Sequence, residues 1–178
     1  MLTDYNGLIE ASWFQAFRAP TDNDKSFGNW LAKDWKKHML HAPNIECISV
    51  PNVIADKGGV VEVSAVTRYS YAEGAVDVKA DYKVYADGTM DISYVYSPTG
   101  VLPELPRLGT AFQIKDGYDN FSWFGRGPWE SYPDRKTSCS ITWWSGKVSE
   151  QYTHYPRPQD GGNKEAVSYT HLTLPTIA

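Results

Sequence analysis

Val76-Asp77-Val78-Lys79-Ala80-Asp81-Tyr82-Lys83-Val84, followed by Tyr85-Ala86-Asp87-Gly88-Thr89-Met90, is where the fold class is written. Val76, Val78, Ala80, Tyr82 and Val84 share one side of an extended chain, and the charges at 77, 79, 81 and 83 share the other. That period of two is a half-buried strand with a charged solvent face. Asp87-Gly88 is a hairpin signal, because a type I′ turn needs positive φ at both central residues. Met90 to Tyr96 is then the returning strand. Upstream, Val61, Val63, Ala65, Tyr69 and Tyr71 lie on one face of a third strand after the Gly58-Gly59 turn, and the apolar run Ile45 to Ile54 reads as a fourth. Further strands are expected at Leu108 to Ile114, Phe121 to Phe124 and Ser138 to Val148. Short strands at this spacing point to an antiparallel sandwich, not to βαβ units.

One segment breaks the pattern. From Asn29 to Leu40, Trp30, Leu31, Trp35 and Met39 fall roughly on one helical face, so a single short helix is expected near residues 29–41. Asn29 is its expected N-cap, Lys36, Lys37 and His38 suit its negative end, and Pro43 stops it. Both tryptophans are expected to pack. At the far end, Ser168 to Ala178 holds no Asp, Glu, Lys or Arg and has the look of a read-through tail, expected to be foreign to a domain that spans residues 1–167.

The chain has 178 residues, 42% of them hydrophobic, enough for one domain with a real core. Seventeen Lys+Arg against 21 Asp+Glu leave a net charge of −4, which argues against a nucleic-acid partner. No stretch is apolar and long enough to span a bilayer, so no membrane partner is expected. Cys47 and Cys139 lack metal-ligand spacing and read as two buried thiols. No metal or cofactor is therefore expected on this chain.

Two segments carry unusual chemistry. In Arg18-Ala19-Pro20-Thr21-Asp22-Asn23-Asp24, a proline-fixed turn precedes three short oxygen-bearing side chains. Asp22 and Asp24 could be a carboxylate pair or hard-cation ligands, but no calcium-loop pattern follows. Arg18 beside them holds carboxylates ionised, which suits a structural network better than a general acid. The second segment is Trp123-Phe124-Gly125-Arg126-Gly127-Pro128-Trp129-Glu130-Ser131-Tyr132-Pro133-Asp134-Arg135. It is a shaped loop leaving a strand, in which Glu130, Asp134, Arg126 and Arg135 can pair with one another. Glu130 sits among aromatics, a setting that raises a carboxyl pKa. Alternatively it accepts backbone N–H groups of the loop.

Together, and in this order, the two segments resemble paired signatures of the C-terminal, small-chain domain of glycoside hydrolase family 2 β-galactosidases, from about Gly7 to Val167. The resemblance implies a mainly β, antiparallel supersandwich of the galactose mutarotase-like type, here incomplete. It implies a fragment of an enzyme that hydrolyses terminal β-D-galactosides with retention. Such enzymes need two carboxyl groups about 5 Å apart, and the resemblance places both in a barrel domain outside this chain, along with the family's Mg and Na. The fragment alone is then expected to be inactive, with the other domains of a homo-oligomeric parent and a β-galactoside as its partners. Asp22, Asn23, Asp24, Ser26 and Gly28 are implied to form a loop at the active-site mouth. Ser26 stands where well-known members carry a hinge glycine, and Gly28 is the candidate to replace it. Arg18, Pro20, Gly127, Pro128, Glu130, Tyr132, Asp134 and Arg135 are implied to be structural. A soluble chain of the bacterial cytoplasm or periplasm is the expected setting. The rival readings are a free-standing carbohydrate-binding sandwich and a mutarotase-like epimerase, the latter weakened because neither motif contains His.

Overall fold

The computed structural model describes residues 3–5, 9–26, 28, 30–55, 58–156 and 160–173, with backbone alone at 3–5 and 166–173. Two compact units are formed, one from residues 1–20 with 24–113, the other from 21–23 with 114–178. The strands are β1 (Thr3–Tyr5), β2 (Ile9–Gln15), β3 (Asn44–Cys47), β4 (Asn52–Ala55), β5 (Val61–Ser70), β6 (Gly74–Val84), β7 (Met90–Gly100), β8 (Gly109–Ile114), β9 (Asn120–Gly127), β10 (Ser140–Lys147) and β11 (Ala166–Thr173). The helices are short: α1 (Asp22–Lys25), which the expectation of a single helix missed, α2 (Leu31–Lys37), and two 3-10 turns at Lys136–Ser138 and Val148–Gln151. The protein is mainly β, and each strand pair whose register is described is antiparallel, as the alternation in 76–84 requires.

In the first unit, β3-β5-β6-β7 form one sheet with β4 also on β5, and β1-β2-β8 form a second. The period-two reading of β6 holds: Val76, Val78 and Tyr82 are buried while Lys79 and Lys83 are exposed. Phe14 of β2 closes the core from the smaller sheet, its ring 5.2 Å from those of both Tyr69 and Tyr96. Its backbone N–H also donates to the Tyr69 hydroxyl at 3.1 Å, so that buried phenol is satisfied where it packs. On the outer face, Arg68 grips Asp77 through two 2.7 Å bonds and Lys83 meets Glu62 at 2.9 Å, a cross-strand ladder of opposite charges.

The hairpin after β6 differs from the expected type I′ turn. Gly88 N–H donates to the Tyr85 carbonyl at 3.0 Å, and only Gly88 (φ 83°) enters the left-handed region. This is a three-residue loop ending in a left-handed glycine, and it spares Asp87 a positive φ. Asp87 instead accepts the Thr89 N–H at 2.8 Å.

The run from Ile45 to Ile54 is two strands, not one. Both pair with β5, and between them Ser49 Oγ accepts the Val66 N–H at 2.7 Å, replacing a ladder bond where the strand breaks. The helix is also shorter than expected. It starts after Trp30, with no side-chain cap, and Asn29 lies outside the described residues. It ends at Lys37, well before Pro43, because Met39 turns left-handed (φ 59°) and sends buried Leu40 back to the Trp35 carbonyl. Trp35 is buried, with Nε1 donating to the Glu104 carbonyl at 2.8 Å, but Trp30 is 64% exposed and does not pack as expected. Cys47 is exposed too, so only Cys139 is a buried thiol.

The second unit is a three-stranded sheet in the order β10-β9-β11. Residues 166–173, which run into the uncharged tail, form β11 on β9, with register shifts on either side of Ser168. Residues 174–178 lie outside the described ones. Trp123 of β9 is fully buried and its Nε1 donates to the Arg126 carbonyl at 2.9 Å. Gly127 ends β9 directly under Trp144: a Cβ there would lie 2.6 Å from Trp144 Cδ1. Gly127→Ala must push a ring off a strand, and we expect a loss of about 1–3 kcal/mol in chemical denaturation. A value indistinguishable from zero would mean the ring moves freely.

Candidate functional site

The first motif folds around one carboxylate. Pro20 leads the chain into α1, a single helical turn whose phase leaves Asp22 and Asn23 exposed and carries Asp24 inward, where it is 5% exposed. Arg18 meets it with two nitrogens, Nη1 at 2.5 Å from Oδ2 and Nη2 at 3.2 Å from Oδ1. The same guanidinium lies 5.3 Å from the Trp35 ring centroid. Of the two aspartates, Asp22 is exposed and Asp24 is the buried partner of Arg18. Ser26 lies in a bend after α1, and Gly28 is exposed at φ 81°, with open space where a Cβ would point. Left-handed backbone there favours glycine.

The second motif folds around Glu130, which is 6% exposed. Its Oε1 accepts Arg135 Nη1 at 2.9 Å and the Tyr155 hydroxyl, while Oε2 accepts the Gly162 N–H at 2.9 Å. Arg135 Nη1 also donates to the Tyr155 oxygen at 2.6 Å, closing a three-member ring of polar groups. Burial opposes the charge on Glu130, but the Tyr155 hydroxyl, the Gly162 N–H and the Arg135 and Lys164 charges hold its carboxyl below the usual range. Of the two readings of Glu130, the aromatic setting that raises a carboxyl pKa does not hold, because Tyr155 meets the carboxylate with its hydroxyl and Gly162 with its backbone N–H.

The rest of the loop is tied to the same distant segment. Ser131 N–H donates to the Asn163 carbonyl at 2.7 Å, the Asn163 amide returns a bond to the Ser131 carbonyl, and Lys164 Nζ donates to the Pro128 carbonyl at 2.8 Å. Lys164 also sits 4.7 Å over the Trp123 ring. The Gly127–Pro128 peptide is cis. Tyr132 is half-buried and Asp134 exposed. Arg126 does not join Glu130 or Asp134; its Nε pairs with Glu165 at 3.0 Å. Sequence reasoning missed Tyr155, Gly162, Asn163, Lys164 and Glu165 as partners. Their only visible signal was the polar Gly161-Gly162 turn.

Both motifs therefore spend their buried carboxylate on an arginine. A carboxylate locked by hydrogen bonds to an arginine is a poor general acid. Among the described residues, no group of three or more His, Cys, Asp or Glu could hold a metal ion. No helix there is long and apolar enough to cross a membrane.

Comparison with known proteins gives the family. A family model described as "Beta galactosidase small chain" matches residues 2–175. The β-galactosidase of Priestia megaterium is 34% identical over 160 residues, 88% of this chain and 15% of that enzyme. That of Kluyveromyces lactis is 32% identical over 181 residues, 95% of this chain and 16% of its own length. The Yersinia enterocolitica β-galactosidase is 30% identical over 181 residues, again 95% of this chain and 17% of the enzyme. The chain thus spans about 15% of the length of these relatives. Since the match runs through both arginine–carboxylate motifs and nearly end to end, the chain belongs to the beta-galactosidase small-chain family.

Proposed function

We propose that this chain is a structural, site-completing part of a β-galactosidase that hydrolyses terminal β-D-galactosides with retention. Its partners are the remaining domains of that enzyme, a homo-oligomer, and the galactoside itself. Catalysis needs one carboxyl as nucleophile and another as acid/base, about 5 Å apart. In this reading both come from a barrel domain outside the chain, as do any metal ligands. The observation that carries the reading is that Asp24 and Glu130, the buried carboxylates of the two motifs, are each bound to an arginine. They hold loops in shape instead of reacting.

What the first motif then supplies is a loop, residues 22–28, at the mouth of the catalytic site. Asp24 anchors its base, and Gly28 provides the backbone freedom that a closing loop needs. The isolated 178-residue chain is expected to show no turnover of a chromogenic β-galactoside. Turnover that survives removal of host enzyme, and that Glu130→Gln abolishes, would overturn the assignment of structural roles.

A further inference from the structure

We propose that Asp116 is a site of spontaneous backbone isomerisation, where the Asp116–Gly117 peptide rearranges into an isoaspartyl linkage. Asp-Gly pairs occur in the chain at 87–88, 116–117 and 160–161. Each meets the chemical requirement of a following residue with no Cβ to obstruct ring closure onto its nitrogen. Their surroundings separate them. At Asp87-Gly88 both reacting groups are engaged: Gly88 N–H donates to the Tyr85 carbonyl at 3.0 Å, and Asp87 Oδ1 accepts the Thr89 N–H at 2.8 Å, which also holds that carboxyl below the usual range. Asp160 is half-buried and engaged in a polar contact. Asp116 and Gly117 are exposed in a turn ahead of β9, and among the described residues neither the Asp116 carboxylate nor the Gly117 N–H has a hydrogen-bond partner.

The reaction needs nothing but water. Gly117 N attacks Cγ of the protonated Asp116 carboxyl; the N–Cγ bond forms, the Cγ–OH bond breaks, and the hydroxyl leaves with the amide proton as water. Water then opens the cyclic imide. Attack at the main-chain carbonyl breaks its bond to Gly117 N, so the chain continues through Cγ, gains one methylene and leaves a free α-carboxylate. Nothing is oxidised or reduced, and the water released is the water taken up. The bonds at Asp87-Gly88 oppose the same step twice, since the Gly88 N–H must leave Tyr85 to bring its nitrogen to Cγ and the Asp87 carboxylate must leave Thr89 to be protonated and turned.

The full chain is incubated for weeks at neutral pH, folded and, separately, in concentrated urea. Isoaspartate is located by peptide mapping and counted by transfer of labelled methyl groups from S-adenosylmethionine with an isoaspartyl methyltransferase. The folded chain is expected to carry about tenfold or more isoaspartate at 116 than at 87, because two hydrogen bonds must open first at 87. In urea, where no fold distinguishes the pairs, the two sites should react alike. Reaction at Asn6-Gly7, which lies outside the described residues, changes the mass and is told apart in the map. Asp116→Glu, at an exposed position without a partner, is expected to keep the melting curve and to lose the label from that peptide, since the larger ring closes far more slowly. Three outcomes overturn the proposal: equal isoaspartate at 116 and 87 in the folded chain, none at 116 in the folded chain, or a methyl count that Asp116→Glu leaves unchanged.

Discussion

Asp24→Ala is expected to lower the unfolding free energy by about 3–5 kcal/mol, because it strands the Arg18 guanidinium beside Trp35 with no carboxylate to answer it. Both side chains are well shielded, at 18% and 7% exposed, so solvent does little to compensate. Asp22→Ala, two residues earlier in the same helical turn but exposed, is expected to cost under about 1 kcal/mol. Chemical denaturation of the pair of variants checks this directly. Equal losses from both would mean that α1 does not point its carboxylates as described. Asp24→Asn separates charge from shape: it keeps the volume and one acceptor, so it should fall between the wild type and Asp24→Ala.

Glu130→Ala is the second large effect. It leaves the Gly162 N–H and the Tyr155 hydroxyl without their acceptor in a site that is 94% shielded, for about 2–4 kcal/mol. Arg135 adds little to that figure, since its side chain is 42% exposed and water takes over part of the pairing. The same site gives a pH dependence. A carboxyl whose native pKa is lowered stabilises the fold above its ordinary value of 4.5, and that contribution is lost as pH falls through the lowered native value. Wild type should therefore lose more stability than Glu130→Gln between neutral pH and about pH 3. Parallel acid dependences for the two proteins would show that the Glu130 charge is not what the loop holds.

The strands were legible where burial repeats every second residue. Val76 to Val84 announces itself because Lys79 and Lys83 must face water while Val76, Val78 and Tyr82 do not. The apolar run from Ile45 to Ile54 could not show its interruption, since the break depends on a hydroxyl, Ser49 Oγ, bonding a residue 17 positions away. The helix end was hidden for a related reason: a left-handed Met39 is a cost that local sequence does not advertise and that packing of Leu40 repays.

The candidate site shows the same division. That Arg18 would be paired was readable from its neighbours, but which aspartate it takes depends on the phase of one helical turn. Glu130 stood out by its surroundings, and Arg135 lies five residues away, within local reach. Tyr155 and Gly162, 25 and 32 residues on, are brought to it only by tertiary folding. A single sequence holds no trace of that pairing, so the direction of the Glu130 shift could not be read from its aromatic company alone.

If this chain serves a β-galactosidase as a shaped, non-reacting part, it can replace the matching segment of a relative. The segment of the Priestia megaterium enzyme that matches this chain is replaced by residues 2–175, and turnover of a chromogenic β-galactoside is measured alongside the melting curve. A cooperatively folded chimera that turns over the galactoside is expected. Asp24→Asn in the chimera is expected to lower melting temperature more than turnover measured on the folded enzyme. A chimera that melts cooperatively yet shows no turnover, or one in which Asp24→Asn removes turnover without moving the melt, would contradict that role.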